Sequence, residues 1–356
     1  MNPTPFSLMI EGHTPMTFIG KARLIAAVIL AICCMSDAMA QTSRRDSLRH
    51  AMRLRVIAVD SMMAVRRQRT NSDTTYIRRP DSRFTIKVRA NISGMSVKAE
   101  DYGNDGSGSA DISTDNKATI SVGVNYRGIA AGAALNPASL SGRNKDYEVN
   151  LNAYSNLYGV DMVYQWSKTL SGTVNVDGND YFLERGFFDM KMLSINGYYA
   201  FNGRRFSYPA AFTQSYIQRH SAGSWLAGFS YLGGRLKVGS EDSEYNDYAI
   251  YMGHLGIGGG YGYNFVLHGN WLIHISALPT LVVANFSNIK VEGEHHDATF
   301  HFPHFILAER AAVVYNFSER NFVGATMVMT NSLQKSGSSV INLQKWRVRL
   351  SFGHRF

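Results

Sequence analysis

The residues best equipped for chemistry are histidines and carboxylates crowded into one stretch: Glu292, Glu294, His295, His296, Asp297, His301 and His304. Imidazole and carboxylate together can ligate a divalent cation. No pair here has the i, i+4 spacing of a helical metal motif, and polar loops collect such residues by default, so neither a metal nor another cofactor is expected. His220 and Ser221 are adjacent, the two residue types a hydrolase pairs. No GxSxG or HExxH pattern accompanies them, and His354 has no serine and acid beside it in the sequence. No catalytic residue is expected, and an outer-membrane lipid-modifying enzyme is the alternative reading. The run Gly256, Gly258, Gly259, Gly260, Gly262 could be mistaken for a phosphate cradle. Leu255, Ile257, Tyr261 and Tyr263 alternate through it and no helix signal follows, so it reads as a strand with one bare wall, suited to close approach of other backbone.

Chemistry being weak, the elements carry the reading. Lys21 and Arg23 precede the apolar run Leu24 to Ile32 and the small-residue sequence Ala38-Met39-Ala40. That is the pattern of a secretory signal peptide over 1–40, cleaved before Gln41; the run is well short of the roughly 20 residues a spanning helix needs. Cys33 and Cys34 both fall inside it, so the mature chain has no thiol or disulfide chemistry. The net charge is +9 over 356 residues, and most of it lies ahead of Phe84. The segment 41–83 holds eleven arginines against four aspartates, a surplus of seven. In an exported chain this reads as a basic periplasmic extension near anionic headgroups, not as a nucleic-acid arm. Within it, Leu48, Met52, Ile57, Met62 and Val65 predict a helix over Asp46 to Arg69 on the inner leaflet.

From Phe84 the spacing turns to period two. Phe84, Ile86, Val88, Ala90 and Ile92 alternate with Thr85, Lys87, Arg89, Asn91 and Ser93, and the pattern recurs to the last residue. Long strands, short turns alternating with long loops, and aromatics beside the turns (Tyr126, Tyr158, Phe201, Phe265, Trp271, Phe317) predict an all-β fold. It is a transmembrane antiparallel up-and-down barrel of about twelve strands over 84–356, in the outer membrane of a Gram-negative cell. Trp346, Val348, Leu350, Phe352, His354 and Phe356 share one face of the final strand. The terminal Phe356 resembles the signal read by the barrel-assembly machinery, a partner alongside membrane lipid and lipopolysaccharide.

The stretches FNGRRFSYPAAFTQSYIQRHSAGSW (201–225), DTTYIRRPDSRFTIKVR (73–89) and ISVGVNYRGIAAGAALNP (120–137) resemble a family of outer-membrane barrels known only as a domain of unknown function. The similarity runs from Asp73 to Phe356. It implies fold and location, and brings no catalytic or binding residue with it. The arginine-rich segment 44–69 lies outside the resemblance.

Two expectations about the lumen follow. Closing the barrel sets the first strand beside the last, so Lys87 and Arg89 join Arg347, Arg349 and Arg355 in one inward basic seam, a setting for small anions. The connection 202–221 is too apolar for a free periplasmic loop, and Phe206, Tyr208, Phe212, Tyr216 and His220 mark it as a candidate plug against the Gly256–Gly262 wall. The expected role is a narrow or plugged pore, or a structural or binding protein of the outer membrane.

Overall fold

The chain divides into Met1–Thr70 and Asn71–Phe356. The computed structural model describes residues 72–80, 82, 84–101, 108–126, 129–137, 146–238, 248–291, 294–297, 303–336 and 339–356. The expected signal peptide over 1–40 and the helix expected over 46–69 lie outside the described residues.

In chain order the strands begin with β1 (Ile77–Arg78), β2 (Phe84–Asp101), β3 (Gly108–Ser113), β4 (Lys117–Tyr126), β5 (Ile129–Leu135), β6 (Tyr147–Tyr154) and β7 (Tyr158–Ser167). Then come β8 (Ser171–Val176), β9 (Asn179–Leu183), β10 (Phe188–Ala200), a short helix α1 (Tyr208–Phe212) and β11 (Ile217–Gln218). The rest are β12 (Ala222–Val238), β13 (Ala249–Leu267), β14 (Trp271–Asn285), β15 (Asn288–Val291), β16 (Glu294–Asp297), β17 (His304–Asn316), β18 (Asn321–Ser336) and β19 (Ser339–Arg355).

Twelve of these form the barrel wall: β2, β4, β5, β6, β7, β10, β12, β13, β14, β17, β18 and β19. Each ladder is antiparallel, and the last strand pairs with the first along its whole length, from Ser339 opposite Asp101 to Arg355 opposite Thr85. The ladder of β12 and β13 is nearly as long, from Ala222 opposite Asn264 to Lys237 opposite Ala249, whereas those of β4 with β5 and of β6 with β7 are much shorter.

Period two sorts the side chains. Ile86, Val88, Val122, Leu151, Phe229, Ile257, Ile275, Val313, Leu350 and Phe352 are exposed on the outside. Lys87, Ser121, Asp161, Gln165, Asn196, Asn264, His274, Thr280, Arg310 and Ser351 are buried within. A wall that is apolar outward and polar inward, with its backbone satisfied along long antiparallel ladders, suits hydrocarbon and not water. Trp225, Tyr158, Phe201, Phe265, Trp271, Phe317 and Phe356 stand exposed near the short turns, as an interfacial girdle does.

The long loops hold more order than the sequence suggests. The stretch 100–116 contains β3, which pairs both with the rim of β2 and with β8. Within 168–189, β8 and β9 form a hairpin turned by Asp177 and Gly178, both at positive φ (51° and 83°). Within 287–299, β15 and β16 form a second hairpin, docked on β13. These runs are too brief to stand as strands by themselves; pairing onto the rims of longer strands stabilises them.

Two apolar clusters lie inside the wall. At the turn end Phe206, Tyr208 and Phe212 pack with Tyr198, Leu226, Leu272, Leu278 and Val314. At the loop end Met95, Leu170, Phe188, Met190, Met192, Leu232, Val282, Ile306 and Leu343 pack together. Polar space lies between.

Candidate functional site

The connection from β10 to β12 enters the lumen through a set of local hydrogen bonds. Past Ala200 the chain is turned by Asn202, whose backbone N–H donates to Ser224 Oγ (2.9 Å) and whose Nδ2 donates to Gly223 O (2.8 Å). Ser207 caps α1: its Oγ accepts from Ala210 N (3.2 Å) and donates to Asn156 Oδ1 (2.7 Å). Pro209 suits the first turn, where its missing N–H costs nothing. After the helix Gln214 adopts a left-handed backbone (φ 49°) and its Nε2 donates back to Ala211 O (2.8 Å), which reverses the chain.

Of the candidate plug residues, Phe206, Tyr208 and Phe212 are buried in the turn-end cluster. Tyr216 is partly buried against it, and His220 is exposed, its ring edge-on to Tyr76 at 5.6 Å. The glycine wall accommodates this connection: a Cβ built on Gly262 would lie 3.0 Å from Phe206 Cζ. A polar chain fastens it further. Tyr208 Oη donates to Ser276 Oγ (2.9 Å), and Ser276 Oγ lies 3.0 Å from His274 Nε2. His274 Nδ1 faces Asn264 Oδ1 at 2.7 Å, which assigns the ring proton to Nδ1. Asn264 Nδ2 then donates to Ser207 O (3.1 Å) and Gln218 Oε1 (3.0 Å).

Beneath Tyr208 sits a buried ion pair, Arg310 with Asp161. The guanidinium carbon of Arg310 lies 5.9, 5.8 and 5.7 Å from the ring centres of Tyr154, Tyr198 and Tyr208. Sequence reasoning did not single out Arg310. The signal was there: it interrupts the inward row Ile306, Ala308, Ala312, Val314, and a charge in an otherwise apolar inward row needs a partner.

The segment ahead of the barrel closes over the connection from outside. β1 pairs with β11, Asp73 N donates to Arg204 O (2.8 Å), and Arg219 N donates to Tyr76 O (2.7 Å). Arg78 pairs with Glu319 and Arg205 with Asp73 (3.2 Å). Hydrogen bonds from Arg78 to the exposed Glu319 and from Thr75 to the half-buried Asp73 hold both carboxyls below their ordinary range.

The five cations of the seam separate into two groups. Lys87 Nζ donates to Thr213 O and Gln214 Oε1, and Arg355 donates to Gln214 O (3.1 Å) and Glu319 O (3.0 Å). These two grip the connection. Arg89, Arg347 and Arg349 instead line a cavity of ≈ 380 Å³ with Lys117, Asn91, Thr119 and Glu148. Arg347 pairs with Glu148 (3.7 Å) and Asn150, while Arg349 donates to Asn91 Oδ1 (2.6 Å). Asp161 serves Arg310 and not the seam.

Of the histidine stretch, Glu294, His295 and His304 have described side chains, and these three lie apart. His304 is buried in the lumen, bonded to Ser332 Oγ (2.8 Å) with its ring 4.4 Å from that of His254. Glu294 and His295 are exposed in β16, and 292–293 and 298–302 lie outside the described residues. Among the described residues no group of three or more histidines, cysteines and carboxylates could hold a metal ion. His220 and Ser221 have structural partners: Tyr76 packs on the ring, and Ser221 Oγ accepts from Val266 N (2.9 Å).

Residues 71–356 match a family described as Domain of unknown function (DUF4421). No curated protein matches the chain. Among solved structures, the outer membrane protease OmpT from Escherichia coli is similar at 9% identity and TM-score 0.34, over 78% of this chain and 97% of that one. The translocator domain of autotransporter NalP from Neisseria meningitidis is 11% identical at TM-score 0.27, over 89% and 100%. The outer membrane protein OprG from Pseudomonas aeruginosa is 11% identical at TM-score 0.25, over 77% and 97%.

Proposed function

The chain belongs to the DUF4421 family and is an outer-membrane β-barrel, and we propose that it is a plugged pore, held shut from the periplasmic side by residues 202–221. The observation that carries this reading is the burial of Phe206, Tyr208 and Phe212 inside the wall. The connection that carries them is fastened to two separate arcs of the wall, by Ser276 and Asn264 on one and by Lys87 and Arg355 on the other. The cations left free of the plug bias the open lumen toward small anions. The wall meets membrane lipid and lipopolysaccharide, Phe356 engages the barrel-assembly machinery, and 1–40 is the export signal.

Planar-bilayer recording tests the closed state. The native chain should conduct rarely, and a chain with 204–219 replaced by a short Gly-Ser linker should conduct continuously. A linker variant that assembles, as its heat-dependent gel shift would report, yet conducts no more than the native chain would overturn the reading.

A further inference from the structure

The chamber beside the plug carries more positive charge than its own groups neutralise. Ladder register places the cations at defined heights on three adjacent strands. Lys117 stands opposite Ser93, which stands opposite Arg347; one step toward the turns Thr119, Asn91 and Arg349 share a row; a further step sets Arg89 between Ser121 and Ser351. Arg347 and Arg349 alternate with the outward Val348 and Leu350, so both project inward, about 7 Å apart along β19.

The acceptors do not match. Glu148 is the one carboxylate among the residues lining the ≈ 380 Å³ cavity, and it is engaged by Arg347, Ser93 Oγ (3.0 Å) and Asn150 Nδ2 (2.7 Å). Lys117 is 7% exposed, and its Nζ is buried with no hydrogen-bond partner among the described residues. The Nζ of Lys345 is in the same condition. Lys345 lines a small adjoining cavity with Glu148 and Arg347. Asp161 also borders that adjoining cavity, but it is committed to Arg310. A buried ammonium without an acceptor is destabilising unless an anion or water reaches it. Neutral groups that could complete an oxyanion shell, Asn91, Thr119, Ser121, Asn152 and Thr326, line the same space.

We propose that this chamber is a binding site for a small polyvalent oxyanion, a phosphate-bearing or polycarboxylate solute, held by Lys117, Arg89 and Arg349 with Arg347 and Lys345 behind them. Four cations spread over three rows favour two or more anionic groups over a single one, because each added carboxylate or phosphoryl oxygen meets its own donor. Phe212 and Thr213 form part of the lining, so the site abuts the plug. The proposal deepens the reading of the lumen as an anion path, and it is tested on the closed barrel, so a barrel that never conducts can still bind.

The experiment is calorimetric titration of the refolded full chain with inorganic phosphate and, separately, citrate, at constant ionic strength set with sodium chloride. One saturable site is expected for at least one of the two probes, and which of them binds assigns the solute class. Lys117→Met and Arg349→Gln should each weaken it at least tenfold. Lys98→Met, which alters an exposed pair with Asp111 (2.8 Å) far up the rim, should leave it unchanged. Lys117 Nζ makes no hydrogen bond among the described residues, so removing it should not harm assembly, and the heat-dependent gel shift of each variant verifies that. Absence of a saturable site for both probes, or equal binding by native chain, Lys117→Met and Arg349→Gln, overturns the proposal.

Discussion

Arg310 and Asp161 show how a single residue governs the lumen. The pair is buried beneath Tyr208, and the guanidinium is ringed by three tyrosines. Removing one partner of a buried pair leaves an uncompensated charge, at a cost of about 3–5 kcal/mol. Arg310→Met should therefore lower the denaturant midpoint strongly, and Arg310→Met with Asp161→Leu should recover most of the loss; equilibrium unfolding in guanidinium compares the two. A milder control lies on the outer clasp. Glu319 is held below its ordinary range by the Arg78 hydrogen bond, so its folded form is the more acidic one. A carboxyl depressed in the folded state contributes its stabilisation above its unfolded value and loses it as pH falls through the folded value. The pairing of β1 with β11 should thus loosen below the ordinary carboxylate range, and amide exchange at Ile77 and Arg78 should quicken there while exchange in β13 stays slow.

At the scale of elements, α1 is too short to be stable alone and depends on its caps and its burial. Ser207 both caps the helix and bonds Asn156 in the turn between β6 and β7. Ser207→Ala should cost about 1 kcal/mol, most of it felt by the plug and little by the wall. The expected readout is more frequent channel openings in bilayers with an unchanged barrel melting transition; a large fall in that transition would mean that the cap supports the wall itself. The turn between β13 and β14 makes a similar local demand: His268 and Gly269 both take positive φ (50° and 72°), which only the glycine adopts without strain.

For the whole molecule, three large side chains in the lumen bear on opening. Burial of each contributes roughly 1.5–3 kcal/mol, so an open population of about one in a thousand or less is expected without a trigger. When the barrel is open, Lys87 and Arg355, which hold the plug in the closed form, join Arg347 and Arg349 in setting the sign of the field. Reversal potentials of the linker variant in a salt gradient should show anion preference. Adding Arg347→Glu and Arg349→Glu should weaken or invert it. Cation selectivity before that change would mean that the seam does not govern the path.

Much of this was legible without the structure, because period two is a local property. Alternation from Phe84 to Phe356 gave the candidate strands, which face meets lipid and which inward residues share a wall, and the count of twelve followed once closure was taken to require an even number, which set Phe206 to Gln218 aside as a connection. The stretch 202–221 stood out because Phe206, Tyr208 and Phe212 are too apolar for a turn. What only the tertiary structure decided is partnership across the lumen. Arg310 and Asp161 lie on strands distant in sequence, Lys87 meets the carbonyl of Thr213, and Lys117 is left without an acceptor. Register fixes such neighbours along a wall, but contacts through the middle depend on how the closed wall curves and where the plug seats, and no local spacing encodes either.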